Sequence, residues 1–348
     1  MTHPRVAHGC AYKNEGDSNM VNRRQMLVAT GAALGGASLI GFGKVMGKEL
    51  GHMSPIGFSV PTGVVDSHCH IFNPEKFPYS AKRKYTPPPA TVQDLRRFHS
   101  AIHVRRTVLV QPSVYGTDNA CLIDALGQLG RDARGIAVID PSFSSQQLDD
   151  LAGAGVVGVR INLEVGKNHD TNVAVERLEK TVQTLRGKPF IVQIYAALPV
   201  LADLAPRIQA QPHPVVIDHF GLAKAADGPE QPGMSALIGM MQSKKVFVKL
   251  SGPYQISLQK PLYADTAQIG STLVEAAPDQ VIWGSDWPHT GGSERKADAK
   301  PTDIEPFRDE DEGRNFSLVK TWAPAPIERR KLLADNASRL FGFVDSAV

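Results

Sequence analysis

Three cysteines, Cys10, Cys69 and Cys121, are all that the 348-residue sequence contains. The number is odd and no two share a Cys-x-x-Cys spacing, which argues against a disulfide framework and a cysteine-built zinc site. A basic field is missing as well. The whole formal net charge of +3 resides in the first fifty residues, and the remaining 32 Lys and Arg balance 32 Asp and Glu. With no interleaved Arg/aromatic stripe either, a nucleic-acid partner is not expected. No strand-like run leads into a Gly-x-Gly-x-x-Gly turn. The cluster Gly153-Ala154-Gly155 precedes an apolar run instead of following one, so a dinucleotide-binding open sheet lacks its fingerprint.

Long hydrophobic runs are absent too. The uncharged stretch from Val28 to Gly43 carries five glycines, which leaves it short and weakly apolar for a stable membrane span. It follows Asn22-Arg23-Arg24-Gln25-Met26-Leu27 and ends at Lys44. Paired arginines ahead of a modest apolar segment resemble a twin-arginine export signal. The expectation is a leader over residues 1–53, starting at Met1 or Met20, with the twin-arginine machinery as partner and the periplasm as destination. No Ala-x-Ala site stands before Pro55, so the cleavage point stays open.

Residues 54–348 read as one domain. Beyond Pro61 a single unit repeats: a short β-branched run, a polar turn, an amphipathic helix. The runs are Val64–His70, Thr107–Gln111, Gly135–Ile139, Val156–Ile161, Phe190–Tyr195, Val215–His219, Val246–Leu250 and Val281–Gly284. Helical spacing of Leu, Ile and Ala marks Asp118–Leu129, Val173–Leu185, Leu198–Ile208 and Tyr263–Ala276 between them. Eight near-continuous apolar strands alternating with helices predict a (β/α)8 TIM barrel, an α/β fold, with Gly291–Pro326 as a long eighth βα-loop and Ile327–Phe341 as the last helix.

Barrel active sites gather at the C-terminal ends of the strands. Every strand here ends in polar residues: His68 and His70; Gln111 and Ser113; Asp140; Arg160 and Asn162; Gln193 and Tyr195; Asp218 and His219; Lys249 and Ser251; Ser285 and Asp286. His68 and His70 are two apart and so share one side of their strand. An aspartate beside imidazoles holds and deprotonates water, while imidazoles or a metal polarise a carbonyl. Attack of water on an ester, lactone or amide carbonyl fits that set. His52, His99, His103, His169 and His213 stand in leader, helix, loop or turn contexts and read as surface residues; His289, close behind Asp286, would orient it or touch substrate.

Jointly, Asp66-x-His68-x-His70, Asp218-His219-x-Gly221 and Gly284-Ser285-Asp286-Trp287-Pro288-His289 resemble the amidohydrolase superfamily, and more narrowly its lactonase branch. Gln111-Pro112-Ser113, Gly158-Val159-Arg160-Ile161-Asn162, Lys249-Leu250-Ser251-Gly252 and Arg83-Lys84-Tyr85-Thr86-Pro87 belong to the same likeness, which spans nearly all of the chain after Pro61. The resemblance implies hydrolysis of a small anionic lactone, with Asp286 as the base that activates water and His68, His70, His219 and Tyr195 around the carbonyl. It implies that Arg83, Tyr85, Ser113 and Arg160 bind the substrate's anionic group, with Gln255 and His289 beside them. Members that open a pyrone dicarboxylate are expected to carry further arginines where this sequence has Gly166, Leu222 and Gln255. A 4-sulfomuconolactone-like or sugar-acid lactone therefore fits better, with Arg295 or Arg314 of the last loop as replacement charges.

The superfamily's usual metal set takes a further His or Lys from strand 4 or 5, where this chain has Arg160-Ile161-Asn162 and Gln193-Ile194-Tyr195. His68, His70 and Asp286 still offer three ligands for one Zn2+, and a metal-free site is the equal alternative. Other readings are a lactone isomerase, a metal-dependent decarboxylase, which would want histidine at Tyr195, and a periplasmic anion-binding protein, which would make no use of Asp286.

Overall fold

The computed structural model describes residues 51, 53–165, 170–291 and 298–344. Arg23, Arg24 and nearly all of the leader, His52, Gly166, His169 and Arg295 lie outside them. Eight parallel strands pair in sequence order: β1 Val65–Cys69, β2 Arg106–Val110, β3 Ala133–Ala137, β4 Val156–Asn162, β5 Ile191–Tyr195, β6 Val215–Ile217, β7 Val246–Ser251 and β8 Val281–Gly284. Helices follow the strands: α1 Val92–Ala101 precedes β2, and α2 Ala120–Leu129, α3 Ser145–Gly153, α4 Thr171–Leu185, α5 Leu198–Ala210, α6 Met234–Gln242 and α7 Thr266–Ala276 cover the later ones. The fold is the expected (β/α)8 barrel.

Burial on both faces explains why the strands read as apolar runs. Inward side chains Val65, Val108, Val110, Ile136, Ile191, Val216, Phe247 and Ile282 fill the lower barrel. Outward ones join the larger core under the helices. Capping boxes at Thr91 and Ser144 start α1 and α3 by satisfying their free amides.

The barrel closes through the two strands that carry the site. The Asp286 amide donates to the His68 carbonyl (2.8 Å), and the His70 amide to the Trp287 carbonyl (2.9 Å). A Cβ on Gly284 would sit 2.8 Å from the His68 nitrogen, so glycine is what lets β8 approach β1 this closely.

Most strand ends lie within one residue of the sequence expectation, but two strands stop two residues early. β3 stops at Ala137 because the Asn119 side chain binds both the amide and the carbonyl of Val138 (3.0 and 2.9 Å), replacing ladder partners. β6 stops at Ile217 because His219 and Phe220 turn left-handed (φ 48° and 55°). The long eighth segment is also not all loop. Asp311 caps α8 Glu312–Ser317, which is followed by α9 Val319–Trp322, and Phe316, Val319 and Trp322 of these helices are buried. The last helical stretch runs as α10 Pro326–Arg330, a π turn Lys331–Asp335 and α11 Asn336–Phe341. Among the described residues no helix is long and apolar enough to cross a membrane.

Candidate active site

The register of β1 shifts between Asp66 and Cys69. That irregularity lets Asp66 face helix α1 while His68, two residues on, faces the barrel interior, the kind of re-aiming that bulges beside active sites perform. Asp66 is buried and saturated: its oxygens accept from the amides of His68 (3.2 Å) and Ser285 (2.8 Å), from the Ser285 hydroxyl and from His99 Nε2 (3.0 Å). It thus ties β1 to the residue before Asp286. His99 and His213, expected at the surface, are both buried. Each is held by a specific partner, His99 by Asp66 and His213 Nδ1 by the Phe190 carbonyl (3.0 Å), while His103 is exposed.

Above the apolar floor lies a buried polar layer. Asp218 Oδ2 accepts from Arg160 Nε and Nη2 (3.1 and 3.0 Å) and from Gln193 Nε2 (3.0 Å). Lys249, fully buried, donates to Gln193 Oε1 (2.8 Å) and lies 3.3 Å from His68 Nδ1 and 3.6 Å from Asp218 Oδ1. A buried charge is tolerated only when paired, and this layer pairs two cations with one carboxylate. Burial works against the Asp218 charge, but His68, Lys249 and Arg160 outweigh it and hold the carboxyl well below its usual range. Burial draws the Lys249 ammonium down to about 8, with Asp218 opposing the shift. Lys249 stands two residues beyond the inward Phe247, a spacing that puts it inside the barrel; in the sequence it is a strand-end lysine with no expected role.

Asp286 enters from the end of β8 with φ 62°. Its Oδ1 lies 3.6 Å from His68 Nε2 and 3.7 Å from His70 Nε2. Its Oδ2 accepts from the Tyr254 hydroxyl (2.8 Å) and from Gln255 Nε2 (3.3 Å). Burial disfavours the carboxylate, yet His219, His68, His70 and the Tyr254 hydroxyl hold the group well below the ordinary aspartate range. The imidazoles move the other way. Burial, the largest influence, lowers His70 to about 4 and His68 well below its ordinary value. His70 is therefore neutral at pH 7 beside the Asp286 carboxylate.

The hydrogen bonds then say which nitrogens are bare. His70 Nδ1 lies 2.7 Å from the Val110 carbonyl, which only accepts, so the proton is on Nδ1 and the Nε2 lone pair faces Asp286. His68 Nδ1 lies 3.3 Å both from Lys249 Nζ, which donates, and from Asp218 Oδ1, which accepts, and its Nε2 is buried without a hydrogen-bond partner. The bare His70 nitrogen, the unpartnered His68 nitrogen and a carboxylate oxygen thus converge, a set that a cation among them would satisfy. His68, His70 and Asp286 suit a zinc ion with an open position, their outer nitrogens oriented by Val110 and Asp218. The group Asp66, Cys69 and His99 also clusters, but Asp66 has its four donors already and Cys69 Sγ contacts the Thr107 hydroxyl (2.9 Å).

His219 completes the wall, its ring centroid 4.6 Å from that of His68 and 5.1 Å from that of Tyr195. Its Nδ1 lies 2.9 Å from the Ser251 hydroxyl and 3.2 Å from the Ser251 carbonyl. Thus Asp286, His68, His70, His219 and Tyr195, five residues singled out in the sequence, converge on one point. The residues expected to bind substrate separate into two groups. Arg160 and Ser113 line a cavity of about 680 Å³ beside the site. The half-buried Tyr85 turns its hydroxyl toward those of Ser113 and Thr290. Arg160 spends one edge of its fork on Asp218 and stacks over Tyr195 (5.0 Å).

The others face elsewhere. Arg83 bonds its own loop, at the Thr86 hydroxyl (2.6 Å) and the Ser80 carbonyl (3.1 Å), and it is the neighbouring Lys84 that lines the cavity. Gln255 turns its amide on Asp286 and its carbonyl toward the Tyr195 hydroxyl (3.5 Å). His289 has both nitrogens occupied, by Tyr254 (2.9 Å) and by Glu312. Arg314 pairs with Asp311 (3.1 Å) and does not line the cavity. Tyr254 and Glu312 were not legible as site residues: one is an isolated aromatic after a Gly-Pro turn, the other one acid in an acidic run.

A family model described as Amidohydrolase matches residues 65–343. The 4-sulfomuconolactone hydrolase of Hydrogenophaga intermedia is 34% identical over 84% of this chain and 93% of its own length. The 2-pyrone-4,6-dicarboxylate hydrolase of Comamonas testosteroni is 31% identical over 82% of this chain and 92% of its own length. Among solved structures, a probable 2-pyrone-4,6-dicarboxylic acid hydrolase from Acinetobacter baumannii, with citric acid bound, superposes with a TM-score of 0.65. It is 27% identical and covers 81% of this chain and all of its own.

Proposed function

The chain belongs to the amidohydrolase family, and on that footing we propose that it is a lactone hydrolase in which Asp286 activates the attacking water. The observation that carries this reading is the division of labour within one carboxylate: Oδ2 is anchored by Tyr254 and Gln255, and Oδ1 is turned into the mouth of the barrel between two imidazoles. Asp286 takes one proton from water as the hydroxide adds to the lactone carbonyl. The oxyanion is met by the Tyr195 phenol, kept protonated by burial, and by the His219 imidazole, which stands between the Tyr195 and His68 rings. The ring C–O bond breaks, and the proton held by Asp286 passes to the departing oxygen. One water is consumed, and the new carboxylic acid ionises at neutral pH.

We propose His68, His70 and Asp286 as the ligands of one zinc ion. When bound, such an ion would polarise the carbonyl and acidify water. The substrate we propose is a lactone with one anionic substituent, such as 4-sulfomuconolactone or a sugar-acid lactone. What supports this is the absence of arginine at Leu222 and Gln255, and the Arg160 and Lys84 charges along the cavity. A panel of muconolactones, pyrones and aldonolactones, added to the purified protein in weak buffer with a pH indicator, tests the activity. Acid release from a lactone supports it, and no release from any of them refutes it. Export of the folded enzyme to the periplasm is proposed on Arg23 and Arg24 alone. Periplasmic activity that is lost on Arg23→Lys/Arg24→Lys would support it, and unchanged fractionation would refute it.

A further inference from the structure

Behind the Asp286 carboxylate stands a column of buried side chains that the reaction itself does not consume. Tyr254 donates to Asp286 Oδ2 (2.8 Å), His289 Nδ1 lies 2.9 Å from the same phenol oxygen, and His289 Nε2 is bonded to Glu312 Oε1. All four residues are at least nine-tenths buried. The Arg308 guanidinium packs over the Tyr254 ring (4.7 Å), and the His289 amide donates to the Asp286 carbonyl (2.9 Å).

The direction of these bonds is fixed by what each group can do. A carboxylate only accepts, so the single Tyr254 hydrogen points to Oδ2, and the Tyr254 oxygen must accept from His289 Nδ1–H. Glu312 holds the other ring nitrogen, Nε2, so the His289 imidazole is pinned at both edges. Without Glu312 the ring is tied at Nδ1 alone and can swing away from Tyr254. Tyr254 would then lose the contact that keeps its hydroxyl on Asp286 Oδ2. An acid on the last loop's first helix thereby supports one of the two side-chain ties, Tyr254 and Gln255, that anchor this oxygen. Asp286 and His289 both have left-handed backbones (φ 62° and 67°), so local chain preference does not hold this geometry, and the side-chain ties add to the backbone bonds that do.

We infer that Tyr254, His289 and Glu312 are positioning residues for Asp286, a hydrogen-bonded column through which helix α8 sets the aim of the catalytic base. The inference rests on the lactone hydrolase reading. It is tested with whole-chain variants assayed on a lactone that the wild type opens. Glu312→Met removes the partner at similar volume, and Glu312→Gln keeps one, because its amide can donate to Nε2. Tyr254→Phe deletes the one hydroxyl.

Glu312→Met and Tyr254→Phe are each expected to lower kcat by about 10- to 100-fold with KM within about twofold, the signature of a misplaced base. Glu312→Gln should stay within about threefold of wild type. The double variant Tyr254→Phe/Glu312→Met should be no slower than Tyr254→Phe, because both act along one path. Unchanged kcat in Tyr254→Phe overturns the inference, even if Glu312→Met fails to fold. So does a double variant whose loss is the product of the single losses. A wild type that opens no lactone refutes the activity instead, which separates the two failures.

Discussion

Asp286 and His68 meet twice: the Asp286 amide donates to the His68 carbonyl at 2.8 Å, and the Asp286 Oδ1 stands 3.6 Å from the His68 Nε2. The first contact closes the barrel and the second builds the site. The same two residues do both, so the distance between base and imidazole is set by the seam of the sheet and not by a mobile loop. Asp66 reinforces the seam from outside by accepting from the amides of both His68 and Ser285.

Asp286→Asn keeps the shape and loses the proposed base. Its kcat should fall by about 10³-fold or more, within the range for loss of general base catalysis, while lactone affinity by calorimetry changes little. Comparable turnover in the variant would sink the assignment.

His70 ties stability to pH with a definite sign. Its folded-state value, about 4, lies below the ordinary 6.5, so the unfolded chain binds the extra proton first as pH falls. The His70 contribution is intact above pH 6.5 and is lost progressively between 6.5 and 4, by about 3 kcal/mol in all. Urea unfolding of the metal-free protein across that window should show a shallower pH slope for His70→Gln than for wild type. Parallel slopes would contradict the neutral, buried imidazole.

How much of this was legible depended on what each residue had to advertise. The eight strands were, because strands buried on both faces must be apolar throughout, and the strand-end cluster followed from barrel geometry. Lys249 was not, since a lysine reads as solvated, and only its place two residues after the inward Phe247 hinted otherwise. His99 belongs to a helix whose polar face gave no sign of a buried aspartate opposite. Tyr254 and Glu312 are brought to Asp286 by a turn after β7 and a helix more than twenty residues beyond β8. No local pattern encodes such a meeting. The end of β6 was misplaced because the left-handed turn at His219 and Phe220 follows from tertiary contacts, not from either residue's preference.

Gly252 has φ 56°, and a Cβ there would lie 2.8 Å from Asp286 Oδ2. Gly252→Ala should therefore cost about 1–3 kcal/mol from backbone strain and, by displacing the anchored oxygen, lower kcat more than it raises KM. Thermal unfolding together with steady-state kinetics checks both. Wild-type kcat in a destabilised variant would show that the close approach serves only the fold.

The unpartnered His68 nitrogen and the bare His70 nitrogen beside Asp286 predict bound metal. Elemental analysis of the purified protein should find about one zinc per chain. Removal with dipicolinate should lower the melting temperature as well as the activity, because a ligand bound only to the folded state stabilises it. An active preparation with less than about 0.1 metal per chain excludes an obligatory ion.

The central claim is that water, activated by Asp286, opens a lactone ring. Turnover of a responsive lactone in H2(18)O, followed by mass spectrometry, tests it most directly. The account predicts one heavy oxygen in the new carboxylate of every product molecule, with the signal abolished in Asp286→Asn. An unlabelled product, a rearranged lactone above all, would contradict it.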